Sequence, residues 1–185
     1  MSMLRIYDEN ARELDSVRDH AAIAALLDEI DVSFERWEAG SVLAPDASQE
    51  DVLAAYASQV ERLSADFDFE SVDVVALHPE HPQAAAMRGK FLDEHTHDDF
   101  EIRFFVEGSG VFYLHVGDRV YAVLCTQGDL ISVPAGTRHW FDMGVAPHFK
   151  CIRFFTTPEG WVGDFTGSDI ARRFPDFDAL RKAAA

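Results

Sequence analysis

Apolar positions follow helical spacing in the first third of the chain and strand spacing in most of the rest. Ile23, Leu26, Leu27 and Ile30 keep an i, i+3, i+4, i+7 stripe, which predicts a helix over 16–30. Ser16-x-x-Asp19 reads as its capping box. Residues 32–37 alternate like a short strand before Gly40 and Pro45 break the chain. Ser48-x-x-Asp51 predicts the start of a second helix, running to about Leu63 with Val52, Tyr56, Val60 and Leu63 on one face. Residues 72–77 predict a buried strand, and His78-Pro79-Glu80-His81-Pro82 a loop.

Past Gly89 the pattern changes. Most of the 15 phenylalanines lie here, in short aromatic and β-branched runs set off by glycines. Residues 101–106 and 111–116 predict two strands separated by Gly108-Ser109-Gly110. Gly117-Asp118 fits a two-residue hairpin into 119–124. Residues 130–133 and 149–155 add two more. Short strands at this spacing predict an antiparallel barrel or jelly roll rather than βαβ units. The expected fold is mainly β with α: one domain over 1–185. It divides into a helical and strand section over about 1–87, a barrel core over about 88–158 and an extension over 159–185.

Composition adds exclusions. The chain is 48% hydrophobic over 185 residues, enough for a substantial core without a structural staple. Its net charge of -17 would repel phosphate backbones and lipid headgroups, so neither nucleic acid nor a membrane is an expected partner. The same charge favours a monomer. Cys125 and Cys151 are expected to be buried and reduced. The first residues turn acidic before any apolar run develops, and no run approaches transmembrane length, so a cytoplasmic protein is expected.

The candidate chemistry is histidine and glutamate. His95-x-His97-x-x-x-Glu101 places three first-row-metal ligands at one parity, so that a strand through them would aim all three inward. His139 is a fourth. His20, His78, His81, His115 and His148 read instead as solvated or structural. Gly89, His95, His97, Glu101 and Gly108 match the first cupin motif, G-x5-H-x-H-x3-E-x6-G. Gly128, Pro134, Gly136 and His139 match the second, G-x5-P-x-G-x2-H-x3-N, except that Met143 replaces the final asparagine. Three imidazoles and a carboxylate can form a closed structural zinc site or an open octahedral catalytic one. A core large enough to fold unaided favours the open form.

The run from Phe91 to Arg103, FLDEHTHDDFEIR, resembles the metal-site strand of the acireductone dioxygenases, a family of the cupin superfamily. Residues 133–142 and 152–155 are similar to that family too. The resemblance is most specific between Gly89 and Trp161. It implies a cupin barrel behind an N-terminal helical section, with one Fe(II) or Ni(II) per chain on His95, His97, Glu101 and His139. The implied reaction cleaves 1,2-dihydroxy-3-keto-5-methylthiopentene with dioxygen in methionine salvage. Fe(II) would give 2-keto-4-methylthiobutyrate and formate; Ni(II) would give 3-methylthiopropionate, formate and carbon monoxide.

An enediol held by a cation loses protons more readily, and the electron-rich product can react with dioxygen without an organic cofactor. Arg103 shares the parity of Glu101 and is a candidate to hold a substrate oxygen, with Arg153 a second. Glu94, Asp98 or a ligand that transiently lets go is the candidate proton acceptor. Phe91, Phe104, Phe141 or Trp161 could line a pocket for the thioether. The alternatives are another cupin dioxygenase or isomerase, and a non-enzymatic effector-binding cupin.

Overall fold

The sixteen-residue strand Glu101–Val116 is the spine of the molecule. In this computed structural model, which describes residues 1–41, 43–44, 46–67, 69–157 and 162–184, it belongs to two sheets at once. In chain order the strands are β1 (Met3–Asp8), β2 (Glu13–Val17), β3 (Ser33–Arg36), β4 (Ser71–Leu77), β5 (His95–Thr96), β6 (Glu101–Val116), β7 (Arg119–Thr126), β8 (Asp129–Val133), β9 (Arg138–Asp142), β10 (Phe149–Phe155) and β11 (Asp164–Phe165). The helices are α1 (His20–Asp28), α2 (Gln49–Ala55), α3 (Ala57–Asp66), α4 (Ala84–Phe91) and α5 (Phe177–Ala184).

The first half of β6 pairs with β8 and β10, and β3 and β4 extend that sheet on either side. Its second half pairs with β7 and β9 in a sheet ordered β11-β5-β9-β6-β7-β1-β2. All of these pairings are antiparallel. Gly108-Ser109-Gly110 is therefore not a turn between strands but the corner where one strand changes sheets. Corners of sandwiches are made by such bends. Gly108 sits at φ +72, where a Cβ would fall 1.9 Å from the His148 carbonyl oxygen. Gly110 admits the Phe141 ring, which a Cβ would meet at 2.3 Å. A local pattern of two glycines looks the same whether the chain reverses or bends.

Three apolar layers hold the fold. Between the sheets lie Phe105, Phe112, Leu114, Ile131, Phe141 and Cys151, among others. The outer face of the β4-β10-β6-β8-β3 sheet buries Phe104, Ile152 and Phe154 beneath Trp37, Val52 and Tyr56, the last two from α2 and its end. The outer face of the other sheet buries Tyr113 and Trp140 beneath Ile170, Phe174, Phe177 and Leu180. Central strands are thus apolar on both sides. That is why they read as continuous aromatic runs instead of alternating ones.

The section over 1–87 is not a helical one, since four strands run through it. β1 joins the sheet beside β7, with β2 outside it, while β3 and β4 flank the other sheet. α1 begins at His20, capped by Asp19, whose side chain accepts from the Ala22 amide. Ser16, expected as the cap, is in β2, because pairing with β1 draws it into extended backbone. The second helix begins at Ser48 as expected, and Ser48 and Asp51 form a capping box there. Its helix is interrupted at Tyr56 (φ -116), which divides α2 from α3. α4 was not expected; its apolar positions follow no helical stripe. Cys125 and Cys151 are both buried free thiols, and burial pushes the Cys151 thiol up to about 12. No helix among the described residues is long and apolar enough to cross a membrane.

Candidate metal centre

His95, His97, Glu101 and His139 come together at the end of the sandwich, all buried, with one donor atom from each lying within 4.8 Å of the others. They do not lie on one strand. β5 ends at Thr96, the chain bends through Asp98 and Asp99, and β6 begins at Glu101. The bend is fastened by Asp99, a buried carboxylate that accepts from the Phe100 amide (2.7 Å), the Thr156 amide (2.8 Å) and the Thr156 hydroxyl. His95 faces His139 directly in the β5–β9 register, and His139 in turn lies opposite Leu114 of β6. Two strand pairings and one tight bend thus assemble the four side chains.

Each imidazole is oriented by a backbone carbonyl. The Nδ1–H of His95 donates to Asp93 O (2.8 Å), that of His97 to Val162 O (2.9 Å) and that of His139 to Thr137 O (2.7 Å). A carbonyl oxygen can only accept, so the Nδ1 of each ring must carry its proton and a neutral ring keeps its lone pair on Nε2. Such outer contacts fix the tautomer and direction of metal-binding histidines.

The charges agree. Burial holds His95 down to about 4, leaving it neutral at physiological pH. Burial also pulls His97 down, but its bond to Glu101 outweighs that and leaves it raised. Burial pushes the Glu101 carboxyl up, yet the Arg103 charge and the two imidazoles hold it well below the usual carboxylate range. Glu101 Oε2 lies 3.0 Å from Nε2 of both His97 and His139. Neutral rings in the tautomer set by the carbonyls would turn two nitrogen lone pairs onto an anionic oxygen. Either a proton on Nε2, donated to Glu101, or a cation among the atoms relieves that repulsion. Three Nε2 atoms and one carboxylate oxygen suit a first-row divalent ion.

The remaining candidates separate. Arg103 is buried beside the cluster: its Nε–H donates to Glu101 Oε1 at 2.8 Å, and its guanidinium carbon lies 4.5 Å from the centroid of Phe141 and 5.4 Å from that of Phe112. Arg153 stands directly across from Arg103 in the β10–β6 register and makes a two-pronged bond to Asp73, at 2.8 and 2.6 Å. Glu94 is buried, and its carboxylate is directed to His115 and Thr166. Asp98 is exposed.

Among the aromatics, Phe141 belongs to the inner layer and Phe91 packs against it, but Phe104 faces the outer helical layer. Trp161 lies outside the described residues. Gly89 is an ordinary helical residue with open space beside it, whereas Gly128 and Gly136 take positive φ, +90 and +75. Met143, in the asparagine position, is buried in the inner core.

Sequence reasoning missed Val162, whose contribution is a backbone carbonyl, and Thr166. It also set His115 aside. A carbonyl leaves no mark in residue type; the pairing of His115 with acids distant in sequence leaves none in spacing.

Residues 3–163 match the model of the ARD/ARD' family. The chain is 61% identical over 183 residues to an acireductone dioxygenase of Methylococcus capsulatus, covering 98% of each. It is 54% identical over 180 residues to an acireductone dioxygenase of Aquifex aeolicus, covering 97% of this chain and 98% of that one. Among solved structures it is similar to an acireductone dioxygenase from Bacillus anthracis with a cadmium ion in its active centre. The TM-score is 0.79 at 28% identity, over 89% of this chain and 98% of that one.

Proposed function

The chain belongs to the ARD/ARD' family, and on that premise we propose that it is an acireductone dioxygenase whose buried cluster holds one Fe(II) or Ni(II). It is an enzyme that cleaves 1,2-dihydroxy-3-keto-5-methylthiopentene with dioxygen. The observation that carries the metal reading is the set of three imidazoles, each with Nδ1 committed to a carbonyl and Nε2 left for a cation beside Glu101. When bound, the ion would supply Lewis acidity that favours ionisation of the enediol.

The chain's own residues do the rest. His95, His97, His139 and Glu101 form the seat. Arg103 fixes Glu101 and places a buried positive charge beside it, which offsets the field of a chain of net charge -17 where an anionic enediolate must enter. The rings of Phe112 and Phe141 lie within cation–π reach of the guanidinium and shield it from water. Both arginines are ion-paired, Arg153 with Asp73 and Arg103 with Glu101; Arg103 is the one assigned to substrate because its partner is a metal-ligand candidate.

The choice between products is proposed to follow the metal: 2-keto-4-methylthiobutyrate and formate with Fe(II), and 3-methylthiopropionate, formate and carbon monoxide with Ni(II). The test is to load the full chain separately with each ion, add acireductone under air, and assay carbon monoxide and the keto acid. Consumption by both forms, with carbon monoxide from the Ni(II) form alone, is expected. Turnover of some other enediol but not of acireductone would overturn the reading.

A further inference from the structure

Resting on the metal-centre reading above, we propose that Thr166, Glu94 and His115 form a clasp that holds the C-terminal strap across the metal centre. By this clasp they set the orientation of His97 and the retention of the metal. All three are positioning residues; none faces the donor atoms.

The strap runs from Val162 to Ser168 and includes β11, the outermost strand of its sheet. Its ladder to β5 consists of two residue pairs, Asp164 with Thr96 and Phe165 with His95. Little apolar burial secures it, since Val162 is 73% and Phe165 53% exposed. Yet the metal ligands depend on it. The Val162 carbonyl accepts the Nδ1–H of His97 at 2.9 Å. Gly163 lies against the His95 ring, where a Cβ would sit 3.6 Å from Cδ2. A strap so poorly buried, carrying a contact so close to the site, needs a separate fastening.

Thr166 supplies it twice. Its amide donates to the Glu94 carbonyl at 3.1 Å, and its hydroxyl donates to Glu94 Oε1 at 2.7 Å. The other oxygen of Glu94, Oε2, accepts from Nδ1 of His115 at 2.5 Å. Nε2 of His115 in turn meets the half-exposed Glu9 at 3.1 Å. Glu94 and His115 are themselves buried, so the clasp is anchored to β6 and does not float at the surface.

The face on which this happens supports a positioning role for Glu94. Along β6, Leu114 belongs to the inner layer and stands opposite His139, whereas Tyr113 belongs to the outer layer. His115 shares the parity of Tyr113 and so stands on the outer side of the sheet. Glu94, bonded to it, is turned away from the cavity that His95 enters. Its carboxylate is behind the ligands and acts through them, in place of the proton-accepting role that its position in the sequence suggests.

Hydrogen bonds to an ionised carboxylate are among the stronger ones, and loss of an outer contact typically lowers metal affinity 10- to 100-fold. The test uses the full chain loaded with Co(II), whose visible absorption reports its ligands. Wild type, Thr166→Val and Thr166→Ser are compared for the rate of Co(II) loss to excess EDTA and for the thermal midpoint of the metal-free protein. Thr166 is exposed, so both variants are expected to fold.

The expected result is about tenfold faster loss from Thr166→Val, a wild-type rate for Thr166→Ser, and metal-free midpoints within about 2 °C of one another. A wild-type rate for Thr166→Val overturns the clasp. So does equal acceleration in both variants, because the hydroxyl is then not the agent. A wild type that takes up no Co(II) overturns the metal-centre reading itself, and is distinguished by the absent absorption band.

Discussion

Arg103 divides the two oxygens of Glu101. Its Nε–H takes Oε1 at 2.8 Å, and Oε2 is left 3.0 Å from His97 and from His139. The carboxylate is thereby turned so that one oxygen is structural and the other is available as a ligand. An arginine two residues along the same strand can do this because both side chains point to the inner face.

Arg103→Lys keeps the charge but removes the Nε–H and the guanidinium that lies 4.5 Å from the Phe141 ring centroid. We expect metal affinity to fall about tenfold, with a larger loss in kcat/KM, because Glu101 is freed to rotate and the charge beside the substrate shifts. Competition titration against a chelator, alongside steady-state kinetics, measures both. Unchanged affinity would return Arg103 to a role in substrate contact alone.

His97→Ala or His139→Ala removes one donor from a cluster that does not hold the sheets together. Folded protein with bound metal near zero and no turnover is expected. Elemental analysis after gel filtration, with circular dichroism as the folding check, decides it. Normal metal content in both variants contradicts the ligand assignment.

The two glycines of the first motif should respond oppositely. Gly108→Ala forces a Cβ onto the His148 carbonyl at positive φ. It should lower stability by at least about 2 kcal/mol, which is about 4–8 °C in Tm for a chain of this size. Gly89→Ala, in α4 with nothing within 4 Å, should be neutral or stabilising by up to about 1 kcal/mol. Thermal melts of the two variants provide the comparison, and a destabilised Gly89→Ala would mean that this glycine has a role its surroundings do not reveal.

Asp142 ties α4 and α5 to β9. It accepts two bonds from Arg88, at 2.7 and 3.0 Å, and one each from the Gly144 and Phe177 amides. Burial pushes its carboxyl up, but Arg88 and the two amides outweigh that and hold it below the usual value. A folded-state pKa below the unfolded one contributes stability above about pH 4, lost as the pH falls through the folded value. Asp142→Asn should therefore be less stable than wild type by about 3 kcal/mol at pH 7, with the gap closing below about pH 4. Denaturant melts from pH 7 to pH 3 test this; a gap independent of pH would assign the loss to packing.

The sequence by itself determined the chemistry. Residue types and their spacing put three imidazoles and a carboxylate in one short stretch and one motif. The short aromatic runs indicated an antiparallel barrel or jelly roll, and the Ser48 helix start and the Gly117 hairpin are set by short-range bonding that a local pattern encodes. Tertiary structure decided what depends on which distant strands meet. It made Gly108 a corner inside β6, drew Ser16 into β2, turned Phe104 outward and bound the Glu94 carboxylate to His115 and Thr166. It also brought Val162 to His97 and Thr166 to Glu94, partners 65 and 72 residues apart. The physical reason is common to all of these. A residue's parity fixes its side relative to strand neighbours, but pairing with remote segments fixes which side is the cavity. A backbone carbonyl, identical in every residue, becomes specific only by where the fold carries it.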